Sequence, residues 1–468
     1  MKRWLSMVLT MLLVVQPFAV SRMAYAEGDP VITDPQPPDN PVMTITDNIL
    51  KSYTIRTTTT ENVEVSTVTT DSIVEINYDW SIPNGHSYTD GSTFTFQMPS
   101  ELKVYEAFTN APLNFNGQSM GTYSLALDGT ATMTFNDNVY KYSNIQGTIQ
   151  ALTQVKETTE ISEERTVTII PIENHHSHTL SVGLKNPGKD ITKAGVADRP
   201  YNPSSIEWTV ELNKGLKQIA NARWTDVIPA GLAYRADSME VTRLVMAMNG
   251  NVLREEPVTG LTVDTTDGLA IDFGTIQSAY RLTFITDIVD EEVATFNNVT
   301  NLEGTSFKTA TASATVAAGR GTELEKRTPK YDDVTQTIEW VSDINFRQRN
   351  LSSLTVKDLF TETHELDGLT LYEVTLDANG NIANRVEVPV TPVKITDTGL
   401  EGFTFDLPKN GTAYQLEYTT RAKNRVVSSG SVTNTIEVNG LKKSATRSIG
   451  QAVLRKTHKT PDYAAETI

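Results

Sequence analysis

The sequence contains no cysteine, and histidine occurs only six times in 468 residues. The chain therefore has no disulfide framework, no thiol nucleophile and no cysteine-ligated zinc site. The His-Glu-x-x-His motif of zinc proteases is also missing, so a hydrolase has little support. These absences predict a protein that is not an enzyme and that needs no metal or other cofactor.

Positive charge is scarce, because Lys and Arg number 40 against 57 Asp and Glu, for a formal net charge of −17. A phosphate backbone is bound by clustered Lys and Arg side chains, and this balance offers no such surface. We therefore expect no nucleic-acid partner.

Long apolar runs are limited to the N-terminus, where Lys2-Arg3 precede the run Trp4–Val20. Ala24-Tyr25-Ala26 then supplies the small residues of a signal-peptidase site. The alternative, a membrane anchor, is disfavoured because the run is short and is interrupted by Gln16-Pro17. Residues 1–26 are predicted to be a signal peptide.

Export to the cell surface or cell wall follows from that signal. A proline-rich spacer is predicted over residues 27–44, and a tail without a sorting motif over residues 453–468. After signal removal we expect no membrane span, and we expect a monomer. An exported protein without disulfides needs another means of reinforcement.

From Ile45 onward the pattern is that of β-strands. Apolar residues at 74, 76, 78 and 80 alternate with polar ones, as do those at 94, 96 and 98. Turn residues recur at short intervals and no helical period is sustained. The sequence predicts an all-β chain of three tandem immunoglobulin-like β-sandwiches over residues 45–175, 176–318 and 319–452.

An internal repeat relates the second and third of these domains. Ile206-Glu207-Trp208 recurs as Ile338-Glu339-Trp340, and the turn sequence Asn249-Gly250-Asn251 recurs as Asn379-Gly380-Asn381. The Trp and turn residues are explained by packing and hairpin geometry alone. The repeat also contains a Lys, an Asp and an Asn in the same order in both copies: Lys185, Asp226 and Asn298, then Lys326, Asp358 and Asn434.

Such a triad, if buried, has the groups needed for an intramolecular isopeptide bond. Burial drives the amine and the carboxyl toward their neutral forms, so the amine becomes a nucleophile and the acid can donate a proton. The alternative is an ordinary Lys–Asp ion pair with an unrelated Asn. Asn297 precedes Asn298, so the register of the first bond is open by one residue.

Residues 45–318 resemble the collagen-binding region of Gram-positive cell-wall adhesins of the MSCRAMM group. The resemblance is carried by six segments: Asp90–Pro99, Gly129–Val139, Asn144–Gly147, Ile206–Trp208, Trp224–Pro229 and Phe296–Asn298. It implies two modified immunoglobulin sandwiches, the second with a Lys–Asn bond assisted by Asp, and a third domain of the same second type.

The resemblance further implies a two-domain clamp around collagen or another extracellular matrix protein, closed by a latch strand around residues 314–325. Three candidate ligand-binding positions, Leu184, Thr209 and Glu211, depart from what collagen-binding members tend to have. These departures motivate an alternative function, a structural stalk or surface-layer module without affinity for collagen.

Two polar clusters complete the sequence. His175, His176 and His178 lie near the first domain boundary, where a polar hinge is favoured over a metal site. The acidic run Asp287–Glu292 has no regular calcium-ligand spacing and is expected to be a solvated loop.

Overall fold

The computed structural model describes residues 42–184 and 188–450, and in these residues the fold is all-β apart from one 3₁₀ helix at Asp137–Tyr140. The signal peptide, nearly all of the spacer, Lys185 and the tail lie outside the described residues. Within the described part, no helix combines the length and the apolar character needed to cross a bilayer.

The first domain contains nine strands in two sheets, of order β1-β4-β8-β7-β6 and β2-β3-β9-β5. The strands are β1 Thr44–Ile45, β2 Leu50–Thr58, β3 Ile73–Ser81, β4 Thr93–Gln97, β5 Leu102–Val104, β6 Phe108–Phe115, β7 Gln118–Leu125, β8 Thr130–Phe135 and β9 Gln146–Val155. The predicted alternation is confirmed in β3, where Ile76, Tyr78 and Trp80 are buried.

A short ladder of β10 (Thr166–Ile169) and β11 (His178–Ser181) follows. The described residues up to Lys156 form one compact unit with Thr168–Ser181, and Glu157–Val167 form a second unit with the described residues from Val182 onward. No single cut at residue 175 separates these units, because Glu157–Val167 pack with the second domain. Backbone hydrogen bonds join that segment to Met246 and Met248.

The second domain places ten strands in two sheets, of order β12-β13-β19-β16-β17, with β15 on β19, and β18-β14-β20-β21. The strands are β12 Ile191–Ala197, β13 Ser205–Leu212, β14 Ile219–Val227, β15 Leu232–Tyr234, β16 Glu240–Met246, β17 Val252–Pro257, β18 Leu269–Ile276, β19 Ala279–Ile288, β20 Thr295–Thr305 and β21 Phe307–Ala317.

The third domain repeats this topology, with sheets of order β22-β24-β30-β26-β27, with β23 on β24, and β28-β29-β25-β31-β32. The strands are β22 Leu324–Arg327, β23 Tyr331–Asp332, β24 Thr337–Ile344, β25 Thr355–Thr361, β26 His364–Leu376, β27 Ile382–Val388, β28 Val393–Asp397, β29 Leu400–Asp406, β30 Ala413–Ala422, β31 Gly430–Val438 and β32 Leu441–Ile449.

Each repeat has its own core built around one tryptophan. Trp208 and Trp340 are fully buried, and each indole N–H donates to a threonine hydroxyl at 2.9 Å, on Thr286 and Thr420 respectively. A buried indole needs such a partner, since an unpaired N–H in an apolar core is costly. The repeated tryptophans therefore have the packing role that the sequence predicted.

The repeated Asn-Gly-Asn turns form the predicted hairpins between β16 and β17 and between β26 and β27. Gly250 and Gly380 have φ of 84° and 83°, the left-handed conformation that glycine adopts without strain. The surroundings of the two glycines differ. A Cβ on Gly250 would meet open space, whereas one on Gly380 would lie 2.4 Å from the ring of Tyr201 in the second domain.

The second and third domains meet through a bonded junction around Asn202. The side chain of Asn202 donates to the carbonyl oxygen of Phe346 at 2.9 Å and accepts from the backbone N–H of Gly321 at 2.9 Å. Arg347 and Arg349 of the third domain also pair with Glu292 of the second, at 3.1 and 3.0 Å. Residues 289–292 are exposed, as expected of a solvated loop, and Glu292 at its end also pairs with these arginines.

Candidate intramolecular cross-linking sites

Asp226 and Asp358 point into the cores of the second and third domains. Each lies on an inner strand of its sheet, β14 or β25, and alternation places it on the same inward face as Trp224 or Val356. The two carboxyl groups are 1% and 0% exposed. A buried acid requires a compensating partner, because an isolated charge is very costly in an apolar interior.

The partner of Asp358 is Lys326 on β22, with Nζ 2.7 Å from Oδ2 and both side chains inaccessible to solvent. Lys185, predicted to be the equivalent lysine, lies outside the described residues. The lysine that contacts Asp226 is Lys193 on β12, and this pair is also fully buried.

A sequence signal for Lys193 exists and was missed. Lys193 precedes Asp226 by 33 residues and Lys326 precedes Asp358 by 32, so the two pairs share almost the same separation. Each lysine also sits two residues after an apolar strand residue, Ile191 or Leu324. Matching the lysines by strand position would have selected Lys193 over Lys185.

The asparagines complete both sites from the neighbouring strand. Asp226 is opposite Thr300 and Asp358 is opposite Ile436, and in each case the asparagine lies two residues earlier on that strand. Asn298 and Asn434 are both 0% exposed, whereas Asn297 faces outward. The side chain that faces the core beside Asp226 is therefore that of Asn298 and not that of Asn297.

Burial shifts the ionisation of both pairs in the same direction. Desolvation raises the pKa of Asp226 and Asp358 and lowers the pKa of Lys193 and Lys326, although each ion pair opposes the shift. The lysine amines are therefore closer to their neutral, nucleophilic form than an exposed lysine is. The acids are correspondingly closer to the protonated form that donates a proton.

Aromatic rings surround each lysine amine. In the second domain Nζ of Lys193 lies 5.2 Å from the ring centroid of Trp208 and 5.0 Å from that of Phe284. In the third domain Nζ of Lys326 lies 5.5 Å from Trp340 and 4.9 Å from Tyr418. The rings exclude water from the lysine amines, which sustains their desolvation.

The two sites differ in the hydrogen bonds that their asparagines make. In the third domain the hydroxyl oxygen of Tyr418 accepts from Nζ of Lys326 at 2.5 Å and from Nδ2 of Asn434 at 2.6 Å. In the second domain neither the amide nitrogen nor the carbonyl oxygen of Asn298 has a hydrogen-bond partner. The polar atoms of a buried asparagine are rarely left unpaired.

Two of the predicted ligand-binding positions, Thr209 and Glu211, lie on the outer face of the sheet that contains β13. Thr209 and Glu211 alternate with the buried Trp208 and Val210 and are half-buried, as is Leu184. The carboxylate of Glu211 accepts from Arg281 at 2.7 Å and from Lys214 at 3.1 Å. Partial burial raises the pKa of Glu211, but these two hydrogen bonds outweigh it and the pKa is lowered.

The residues predicted to form a latch are engaged within the second and third domains. Residues 314–317 pair with β20, where Thr315 is opposite Asn297, and Leu324 and Glu325 pair with β24. A latch drawn from this segment has to leave these strands before it can add to another sheet.

The histidine cluster contacts an aromatic ring of the first domain. His176 stacks on Tyr53 with ring centroids 4.9 Å apart, and His178 meets the same ring edge-on at 6.3 Å. Among the described residues, no group of His, Asp and Glu side chains is arranged to hold a metal ion.

One pentapeptide, Gly117–Gly121, fits the Gly-x-Ser-x-Gly pattern of serine hydrolases. In those enzymes the serine sits on a strand-to-helix turn beside a histidine. Here Ser119 lies on β7 just after the hairpin with β6, and its hydroxyl donates to the carbonyl oxygen of Gly121 at 3.1 Å. The pattern is explained by the hairpin and does not indicate a nucleophile.

Comparison with protein families gives two matches. A family described as the collagen binding domain matches residues 188–313 and 323–448, which together exceed half of the chain. A bacterial Ig domain matches residues 67–165. The two collagen-binding matches coincide with the repeated sandwiches that contain the buried Lys–Asp pairs.

The solved structures that match this chain include the following three. The collagen adhesin of S. aureus is 17% identical, covering 59% of this chain and 95% of its own, with a TM-score of 0.23. The Enterococcus faecalis MSCRAMM ACE is 15% identical, covering 58% and 95%, with a TM-score of 0.23. The collagen binding domain of Erysipelothrix rhusiopathiae RspB is 13% identical, covering 58% and 97%, with a TM-score of 0.22. A search of curated proteins finds no match.

Proposed function

Because the chain belongs to the collagen-binding domain family, we propose that it is a bacterial surface adhesin that binds collagen or another protein of the host extracellular matrix. The observation that carries this proposal is the pair of family matches over the second and third domains. The predicted signal peptide agrees with display outside the cell. In this function the protein is a binding module and not an enzyme.

We further propose that Lys193 and Asn298, and Lys326 and Asn434, are joined by isopeptide bonds. The neutral amine of the lysine attacks the side-chain carbonyl carbon of the asparagine and forms a C–N bond. The protonated Asp226 or Asp358 donates a hydrogen bond to the developing oxyanion. The bond from carbon to the asparagine nitrogen then breaks, and that nitrogen leaves as ammonia with the proton that the amine has lost.

Burial of both Lys–Asp pairs supports this chemistry over an ordinary ion pair. Taking two charges out of water is costly, and a neutral amide removes that cost. By analogy with a disulfide, a covalent loop of on the order of a hundred residues stabilises a fold by about 4–5 kcal/mol in the chain-entropy model. Such bonds reinforce the domains of a chain that has no cysteine and therefore cannot form disulfides.

Intact mass tests the bonds directly. The exported protein is expected to be lighter than its sequence by one ammonia for each bond, thus by two. Substituting Asn298→Ala or Asn434→Ala removes the electrophile and leaves one bond. A wild-type mass equal to that of the unmodified sequence would refute the chemistry and leave the adhesin proposal untouched.

Collagen affinity is tested with the full exported chain. Saturable binding to immobilised collagen is expected, with fibrinogen as the comparison ligand. Charge reversal at Glu211 with Glu211→Lys breaks its pairing with Arg281 and Lys214 and is expected to weaken binding if this sheet face meets the ligand. No saturable binding to any matrix protein would overturn the adhesin function.

The alternative function, a stalk or surface-layer module, is favoured by the pairing of the predicted latch. The clamp requires residues 314–325 to leave β20 and β24, whereas a stalk leaves these strands in place. The side chains of Asn297 and Thr315 already touch, with the threonine hydroxyl 3.2 Å from Oδ1 of the asparagine. A disulfide between Asn297→Cys and Thr315→Cys would hold the strands together, and the natural chain has no cysteine to interfere.

The clamp predicts that oxidising this double variant abolishes collagen binding and that reduction restores it. Wild-type protein under the same oxidant and reductant is the control. Binding that survives oxidation would exclude a latch from this segment, and absence of collagen binding throughout would leave the stalk.

A further inference from the structure

The cross-linking site of the third domain contains a phenol hydroxyl that the site of the second domain does not have. Tyr418 on β30 lies opposite Trp340, and the residue in the same place on β19, opposite Trp208, is Phe284. Both rings are buried, at 4% and 0% exposed. The two sites therefore differ at this position by one hydroxyl group.

That hydroxyl lies between the two nitrogen atoms that the proposed reaction changes. The Tyr418 oxygen is 2.5 Å from Nζ of Lys326, the nucleophile, and 2.6 Å from Nδ2 of Asn434, the leaving group. The carboxyl of Asp358 also contacts Lys326, at 2.7 Å, and lies beside the Tyr418 hydroxyl. One oxygen is thus within hydrogen-bond distance of both the atom that must lose a proton and the atom that must gain one.

Resting on the isopeptide chemistry proposed above, we propose that Tyr418 is a catalytic residue that relays a proton from the Lys326 amine to the departing nitrogen of Asn434. As Nζ bonds to the carbonyl carbon of Asn434, its proton passes to the phenol oxygen. The phenol proton passes to Nδ2, and ammonia leaves. The tyrosine ends in its starting state, so the step consumes no other reactant.

The relay separates two tasks that the second domain must assign to one group. In the third domain Asp358 can stay protonated and stabilise the oxyanion while Tyr418 moves the proton. In the second domain Phe284 offers no proton, and the hydroxyl of Thr300, which contacts Asp226, donates to the backbone carbonyl oxygen of Thr225 at 2.8 Å. Asp226 must therefore both stabilise the oxyanion and carry the proton between nitrogens. Burial and the nearby Asp358 raise the pKa of Tyr418, which keeps the phenol protonated at neutral pH.

The consequence is that the two bonds of one molecule form at different rates. The Lys326–Asn434 bond is expected to form first, and the Lys193–Asn298 bond to follow. Two substitutions exchange the feature between the domains. Tyr418→Phe gives the third domain the ring found in the second, and Phe284→Tyr adds the hydroxyl to the second.

The experiment follows both bonds in the full exported chain during a pulse of cell-free synthesis. Samples are quenched in acid and denaturant at successive times and digested, and the two cross-linked peptides are quantified by mass spectrometry. Each molecule contains both sites, so the unsubstituted domain is the internal control. Tyr418→Phe is expected to slow the Lys326–Asn434 bond by at least about tenfold while leaving the other unchanged, since general acid–base catalysis contributes at least that much.

Phe284→Tyr is the complementary variant, expected to accelerate the Lys193–Asn298 bond. Near-ultraviolet circular dichroism shows whether Tyr418→Phe is folded. If it is not, Phe284→Tyr still tests the proposal, because an unchanged rate of the Lys193–Asn298 bond would contradict it. If the Lys326–Asn434 bond forms as fast in Tyr418→Phe as in wild type, the relay is overturned, although the bonds themselves still form. Absence of both cross-linked peptides from wild type would instead refute the isopeptide chemistry, and the relay with it.

Discussion

The second and third domains share their strand order and the register of a buried Lys–Asp pair beside a buried asparagine. They differ in what surrounds the asparagine, because Asn434 is hydrogen-bonded to Tyr418 whereas Asn298 has no partner. Duplication has thus kept a buried Lys, Asp and Asn in both domains and changed the group beside the asparagine. If the proposed bonds form, the comparison separates what the three shared side chains do from what the neighbouring hydroxyl adds.

The largest effect is expected from removing the acid. Asp358→Ala should prevent the Lys326–Asn434 bond, restore the mass of one ammonia and lower the free energy of unfolding by about 4–5 kcal/mol through the lost covalent loop. Asp226→Ala is the matched variant in the second domain. Intact mass and denaturant unfolding measure both, and a variant that is still lighter than its own sequence by two ammonia molecules would contradict the assigned role.

The identity of the lysine gives the next test. Lys193→Ala should abolish the bond of the second domain and, with it, the stabilisation that the covalent loop supplies. Lys185→Ala is the control, since Lys185 is the lysine chosen from the sequence alone. Peptide mapping decides between them: a bond that survives in Lys193→Ala and is lost in Lys185→Ala would restore the first assignment.

The pH dependence of bond formation follows from the shifted pKa values. The reaction needs a neutral amine, favoured as pH rises through a lysine pKa that burial lowers from 10.5, and a protonated acid, favoured as pH falls through an aspartate pKa that burial raises from 3.8. The rate should therefore be bell-shaped, with both limbs displaced toward neutrality. Pulse synthesis quenched across pH measures it, and a rate that rises steadily to high pH would show that the acid is not required.

A smaller effect separates the two hairpin glycines. Both have positive φ, so alanine costs on the order of 1 kcal/mol of backbone strain at either site. At Gly380 the added Cβ also displaces the ring of Tyr201, whereas at Gly250 it meets open space. Gly380→Ala should therefore lower the melting temperature more than Gly250→Ala. Equal shifts in scanning calorimetry would mean that the junction contact contributes nothing.

Much of this architecture is predictable from the sequence, because strict alternation exposes strands such as β3 and the tryptophan repeat exposes the duplication. The role of Lys193 could not be predicted in the same way, because β12 is an edge strand with the sequence Ile-Thr-Lys-Ala-Gly-Val-Ala. Its small and polar residues do not alternate clearly enough to show which face is buried. Tyr418 escaped for another reason. A tyrosine in a strand is expected to pack through its ring, and only the fold shows that its hydroxyl lies between Lys326 and Asn434.

The positions of the two proposed bonds have a mechanical consequence. Lys193 lies on the strand by which the chain enters the second domain, and Asn298 lies on the last strand but one. With these side chains joined, a pull on the two ends of the domain passes from β12 through the covalent bond into β20, so the strands from β13 to β19 carry no load. The third domain repeats this arrangement from β22 to β31, so with both bonds formed tension would reach only the chain before each lysine and after each asparagine.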